Sequence, residues 1–206
     1  MSRRIFVGDI HGCLDAFDRL LAAADHRPGT DRVIAVGDLV NKGPDSLGVL
    51  RRMIELDAAA VLGNHDYEWL AEGRIADPTL AAWLRARPLT LVFDDVIVVH
   101  AGLHPQWDEA RLGRLEGDDV DFALNVRYCT ATGERPPSDW PPPGEPYRPW
   151  YTFWSGPKRV VYGHWARAGL TVSAHATGLD SACVYGGALT AWIPEEDRFV
   201  QVPATG

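Results

Sequence analysis

The chain has 206 residues, 46% of them apolar, which suits one sizeable domain with a true core and excludes a disordered segment. Its formal net charge of −8 excludes an extended nucleic-acid partner held by a basic surface, and no apolar run nears the ~18 residues that span a bilayer. The three cysteines, Cys13, Cys129 and Cys183, are odd in number and widely spaced, so they predict free thiols rather than a disulfide framework.

Residues 4–8, Arg-Ile-Phe-Val-Gly, predict a short buried strand. The basic start lacks the ~7–15-residue apolar stretch of a signal peptide, and a cytoplasmic location is expected. Residues 13–25 carry Leu14, Phe17, Leu20, Leu21 and Ala24 at helical spacing, and 31–37 predict a second strand. Residues 46–56 predict a helix with Ser46 as its N-cap and Leu47, Leu50 and Ile54 on one face. With a third strand over 59–63, this alternation predicts an α/β sheet with parallel neighbours. Helices follow over 67–72 and 79–87, Pro78 being allowed at a helix start. Leu89–Phe93 and Val96–Val99 read as a hairpin turned by Asp94-Asp95. Residues 136–149 hold seven prolines among fourteen residues, which excludes a regular helix or central strand and predicts a surface loop or lid. The aromatics Tyr147, Trp150, Tyr151, Phe153 and Trp154 should pack it down. Strand-like runs resume at 159–162, 170–174, 182–185, 188–193 and 198–202. No repeat or linker interrupts the chain, so residues 1–206 are expected to form one domain.

One event recurs along this pattern. An apolar run ends, and a glycine with metal-type residues stands beside it: Gly8-Asp9-Ile10-His11-Gly12, Gly37-Asp38, Gly63-Asn64-His65-Asp66, His100-Ala101-Gly102 and Gly163-His164. Ligands of open α/β sheets gather at the carboxyl ends of strands, so five such ends can converge in space. Gly37-Asp38 alone is an ordinary turn, and His100 alone an ordinary core histidine; the joint pattern points to a site. Carboxylate, imidazole and amide oxygen without cysteine suit manganese, iron, zinc or cobalt. Asp9 and His11 are expected on one metal, Asn64, His100 and His164 on a second, with Asp38 bridging. Two such ions activate water and clamp phosphoryl oxygens. His26, His104 and His175 lie outside the pattern and are read as structural or surface residues.

These motifs, with Gly37-Asp38-Leu39-Val40-Asn41-Lys42-Gly43, resemble the calcineurin-like metallophosphoesterase superfamily in its phosphoprotein-phosphatase branch. More narrowly, His100–Asp108, Tyr162–Ala166 and Leu179–Thr190 are similar to bacterial symmetrical diadenosine tetraphosphatases, and the similarity runs over nearly the whole chain. The resemblance implies a two-sheet α/β sandwich with flanking helices and a dinuclear metal site at the strand ends. It implies manganese or cobalt as activating metal, His65 as general acid, and cleavage of diadenosine tetraphosphate into two ADP. Arg127, in Asn125-Val126-Arg127-Tyr128-Cys129, resembles the family's arginine-bearing cap segment and, with Lys42, is expected to neutralise phosphate charge. Trp165, beside His164, is the expected adenine contact, ahead of Trp107, Trp150 and Trp154.

The chain departs from the family at three places. Lys42 stands where arginine is usual and binds phosphate as a point charge rather than a fork. Asn41 stands where protein phosphatases carry an aspartate supporting the catalytic histidine, and Asp66 or a backbone carbonyl is expected to orient His65 instead. The region of about 107–153 is shortened, a reduced cap. Loss of the supporting aspartate harms a phosphoserine phosphatase, with its poor alkoxide leaving group, more than a dinucleotide hydrolase. Two alternatives stay open: a serine/threonine phosphoprotein phosphatase, and a non-catalytic metal-binding regulator, against which retention of His65 argues. Oligomeric state and in-cell metal are not legible.

Overall fold

The computed structural model describes residues 2–204. The first half runs β1 (Arg4–Val7), α1 (Leu14–Ala23), β2 (Arg32–Ala35), α2 (Ser46–Glu55), β3 (Ala59–Ala60), α3 (Asn64–Ala71), α4 (Pro78–Arg85), β4 (Thr90–Val92) and β5 (Val96–Val99). A helical and irregular stretch follows, with α5 (Glu109–Leu112), α6 (Asp118–Asn125), β6 (Tyr128–Cys129) and β7 (Arg148–Pro149). The chain ends with β8 (Arg159–Tyr162), β9 (Thr171–Val172), β10 (Ala176–Gly178), β11 (Ala188–Ile193) and β12 (Arg198–Pro203).

The strands form two five-stranded sheets, in the orders β12-β11-β1-β2-β3 and β4-β5-β8-β10-β9. Each has three parallel strands, β1-β2-β3 in one and β5-β8-β10 in the other; antiparallel strands flank them on one side in the first sheet, leaving β3 at the edge, and on both sides in the second. Alternation along the strands dictates the layers. Phe6, Ile34, Val61, Val96, Val98 and Val161 meet in a core between the sheets. Their neighbours Ile5, Val7, Val33 and Ala35 turn outward onto Phe17, Leu20, Val49, Leu50 and Met53 of α1 and α2. Ile97, Val99, Val160 and Tyr162 turn outward from the second sheet onto Phe122, Trp150 and Trp154. Each fully buried side chain of this kind contributes roughly 1.5–3 kcal/mol, which favours one register strongly.

The expected α/β class and two-sheet sandwich are observed, and local chemistry moves several boundaries. Asp45, not Ser46, caps α2 by accepting from the Gly48 N–H; Ser46 is the first helical residue, and its hydroxyl accepts from the Asn41 N–H. The helix expected over 67–72 begins at Asn64, so the third motif is a helix start. The run 182–185 is not a strand: Cys183–Tyr185 forms one 3-10 turn, and the strand lies earlier, at β10. The proline-rich stretch contributes only β7, paired with β6 as a two-stranded ribbon outside both sheets, where proline's missing N–H is tolerated.

Candidate metal centre

The parallel strands deliver their polar residues to one edge. β1 is followed by Asp9 and His11, β2 by Asp38, β3 by Asn64, β5 by His100 and β8 by His164. The close approach needs small residues: a Cβ on Gly63 would collide with Asp38, and one on Gly163 with Asp9. The backbone is also forced. His11, Asp38, Asn41, Lys42 and His164 all have positive φ, between 48° and 74°, five of the nine non-glycine residues that do so among the described residues. Such strain concentrates where side chains must be aimed rather than packed.

The histidines are oriented through their second nitrogens. His11 Nδ1 lies 3.0 Å from the Val40 carbonyl, His100 Nδ1 2.9 Å from that of Val36, and His164 Nε2 3.2 Å from that of Asn125. Each N–H therefore donates to backbone, and the remaining nitrogen points its lone pair into the centre. Burial lowers His11 to about 3 and His100 to about 4, and takes His164 well below the ordinary imidazole range, so all three are neutral near pH 7. His100 Nε2 and His164 Nδ1 each stand 3.0 Å from Asn64 Oδ1, so three acceptors converge on one point. Asp38 lies between two imidazoles: Oδ2 is 3.3 Å from His11 Nε2, and Oδ1 is 3.5 Å from His100 Nε2. Oδ1 also accepts the His65 N–H at 2.9 Å, a free donor of the α3 start.

The acids need a cation. Asp9 accepts the His164 N–H and is raised well above the usual carboxylate range by burial and by the charges of Asp180 and Asp38. Burial pushes Asp38 up to about 6. Ionised carboxylates this deep cost several kcal/mol each unless a charge compensates. Inward-facing lone pairs beside crowded acids fit divalent ions, and ligand atoms of Asp9, Asp38 and His100 lie within 4.8 Å of one another.

The centre opens into a cleft of about 1140 Å³, which also brings in Lys42, His65, Arg127 and Trp165. His65 is half-buried, with Nδ1 2.9 Å from Asn41 Nδ2 and 3.5 Å from a Glu68 oxygen. Asp66, expected to orient it, serves the backbone instead. It is fully buried and accepts the N–H groups of Leu39, Val40 and Gly63, tying the β2 loop to the start of α3. Arg127 donates to the His164 carbonyl at 3.4 Å and pairs with Asp139 at 3.2 Å. Of the tryptophans considered, Trp165 lines the cleft and meets Tyr128 edge-on at 4.9 Å, while Trp150 and Trp154 are core residues. Trp107 stacks on His104, away from the centre, and His175 is exposed beside β10.

One residue of the centre was missed. Asp180 follows β10, lies against Asp9 with its pKa raised by burial, and accepts the Ala182 N–H. It makes a sixth strand end, three from each sheet. The signal was present in Gly178-Leu179-Asp180, hidden by placing the strand at 182–185. Trp140, also in the cleft wall, carries no motif, and Tyr185 there lies within the family-like Leu179–Thr190 without an expected role.

Residues 2–168 match the family model described as calcineurin-like phosphoesterase. The chain is 34% identical to a symmetrical bis(5'-nucleosyl)-tetraphosphatase of Dechloromonas aromatica, covering 95% of this chain and 94% of that protein. It is 32% identical to the enzyme of the same name from Edwardsiella ictaluri, covering 97% and 95%. A crystal structure described as a candidate diadenosine tetraphosphatase superposes with TM-score 0.87 at 36% identity, covering all of this chain and 95% of the other. A Saccharomyces cerevisiae protein serine/threonine phosphatase shares the fold alone, at TM-score 0.66 and 14% identity. Strand ends, donor set and full-length similarity agree: this chain belongs to the calcineurin-like phosphoesterase family.

Proposed function

We propose that this protein hydrolyses diadenosine tetraphosphate symmetrically, giving two ADP, with two divalent metal ions at the strand ends. The observation that carries the reading is one continuous cleft lined by the donors Asp9, His11, Asp38, Asn64 and His164, with Lys42 and Arg127 beside them and an aromatic wall beyond. The names of the full-length relatives support the substrate. Asp9 and His11 would hold one ion, Asn64, His100 and His164 the other, with Asp38 shared between them. Manganese or cobalt is the proposed occupant, iron or zinc the alternative. When bound, the ions lower the pKa of water and draw charge from phosphoryl oxygens.

The chain's own residues supply the rest. Lys42 and Arg127 offset phosphate charge, and His65 gives a proton to the departing oxygen. Residues 107–153 form the reduced, substrate-facing cap of a single domain, and Trp165 contacts the nucleotide. Among the described residues no helix is long and apolar enough to cross a membrane. The free thiols Cys13, Cys129 and Cys183 fit a reducing cytoplasm.

The phosphoprotein-phosphatase reading ranks second because of Asn41. The close partner of His65 Nδ1 is a neutral amide at 2.9 Å, and the nearest carboxylate, Glu68, stands farther off at 3.5 Å on a half-exposed side chain, where water screens its support of an imidazolium. Expelling an alkoxide demands that support, while expelling ADP, a stabilised phosphate, demands less. The test offers the metal-loaded protein diadenosine tetraphosphate and a phosphopeptide, and resolves the products. Two ADP with little phosphopeptide turnover is expected. ATP plus AMP sinks the symmetrical assignment, and dominant phosphopeptide turnover puts the phosphatase first.

A further inference from the structure

We propose that Trp140 and Arg167 form a purine-binding subsite that sets which phosphorus of the dinucleotide reaches the catalytic centre; this rests on the dinucleoside tetraphosphate reading above. A single exposed aromatic on an outer surface is ordinary, but an aromatic in the wall of a cleft is the usual lining of a ligand site. Trp140 is 61% exposed, and it lines the cleft rather than the outer surface. The Arg167 guanidinium lies 4.3 Å from its ring centroid. Among the described residues Arg167 has no carboxylate within 4.0 Å, so its charge is not spent on the protein. An open indole with an arginine over it is a stacking platform for a base, and the guanidinium adds attraction for the phosphates that follow.

The neighbourhood makes this platform stiff. Asp139, the preceding residue, is anchored to Arg127, and the Ser138 hydroxyl holds the Trp140 backbone at N (3.2 Å) and O (2.8 Å). Pro136, Pro137 and Pro141–Pro143 flank it and fix φ on both sides. A segment already ordered loses little entropy on binding.

Position gives the subsite its role. Contacts lead outward from His164 to Arg127, from Arg127 to Asp139, and from there to Trp140 and Arg167. A base on Trp140 thus sits beyond Arg127, with its phosphates running back past that arginine to the strand ends. Symmetrical cleavage breaks the P–O bond two phosphates from the base; water supplies the new oxygen, and the leaving ADP takes a proton. Anchoring the base fixes that count. Without the anchor the polyphosphate slides, and the neighbouring phosphorus is attacked to give ATP and AMP.

The test compares metal-loaded wild type with Trp140→Ala, Trp140→Phe and Arg167→Ala. Loss of one stacked base is worth ~1–3 kcal/mol, so Trp140→Ala should raise KM for diadenosine tetraphosphate about tenfold, with kcat changed less. The loss in kcat/KM on p-nitrophenyl phosphate, which has no purine, should be at least about fivefold smaller. Trp140→Phe should recover most of the affinity, and ATP and AMP should rise among the Trp140→Ala products. Equal losses on both substrates, or an unmoved KM for the dinucleotide, overturn the subsite. Calorimetry with ADP and pyrophosphate separates this from failure of the substrate reading. A wild type that binds ADP more tightly than pyrophosphate, with the preference lost in Trp140→Ala, upholds the subsite even if the tetraphosphate is not the substrate. No preference in wild type overturns it.

Discussion

The cleft has two walls built on different principles. The strand-end wall takes Asp9, Asp38 and Asn64 from one sheet and His100, His164 and Asp180 from the other. Its side chains are buried or nearly so, its imidazoles are steered by backbone carbonyls, and its backbone carries the strained positive φ angles. The facing wall, built from residues 127–151 and 165–168, is tied down by exposed or half-exposed ion pairs, Arg127–Asp139 among them, by ring contacts and by proline. Positional accuracy for chemistry comes from buried hydrogen bonds and is bought with strain. Recognition surface needs only stiffness, and proline supplies that while the aromatic faces stay open.

The largest expected effect breaks the first wall. Asp38 reaches towards both His11 and His100, so Asp38→Asn should lower metal occupancy at both positions. Losing several kcal/mol of charge stabilisation should cut kcat/KM by more than about a thousandfold. Metal analysis of the purified variant checks this; unchanged occupancy removes Asp38 from its shared position.

Asp66 and His65 are neighbours in sequence with separate work. Asp66→Ala leaves the N–H groups of Leu39, Val40 and Gly63 without their buried acceptor, at ~1–3 kcal/mol for each unsatisfied group. A stability loss of about 3 kcal/mol or more should appear in denaturant unfolding. His65→Ala should unfold near wild type and keep its metals, while turnover falls. A large unfolding shift in His65→Ala and none in Asp66→Ala would reverse the two roles.

The same contrast explains what was legible. The strand-end wall could be read because a strand, a glycine and a metal-type side chain are adjacent in sequence, as in Val36-Gly37-Asp38. Asp180 escaped because its strand, Ala176–Gly178, is three residues long and only one of them is a large-scale strand former, Thr177; the apolar run after it was the better decoy. Asp66 was misassigned because adjacency to His65 says nothing of direction. One step along a helix turns a side chain by about 100°, here from the cleft into the protein. Trp140 was invisible because a proline-rich loop has no periodicity, and its position depends on Arg127, Asp139 and Arg167, brought together only by the fold.

Acid should weaken the first wall in a definite window. The imidazoles of His11 and His100 are held at about 3 and about 4, so protons do not compete for them until well below neutrality. Asp9, which burial and the charges of Asp180 and Asp38 raise well above the usual carboxylate range, competes, and so does Asp38, raised to about 6 by burial. Its raised pKa means the metal-free site takes up a proton as pH falls through 6, and metal binding must release it. Metal affinity should therefore fall by at least about tenfold between pH 7 and pH 5. Titrations at both values, with proton release measured, check this; an affinity unchanged down to pH 5, with no proton released on binding, would remove the raised carboxylates from the competition.

The smallest effect belongs to the second wall. Arg127 and Asp139 are each about one-third exposed, at 32% and 31%. A pair that wet contributes less than about 1 kcal/mol, because water and salt screen it. Asp139→Asn should therefore shift unfolding by no more than about 0.5 kcal/mol. It also leaves Arg127 held by the His164 carbonyl and freer to meet phosphate. KM for the dinucleotide should move by less than about threefold, and the difference from wild type should shrink as salt rises. A fall in melting temperature of more than about 4 °C would instead make this ion pair the support of the wall, and the prolines secondary to it.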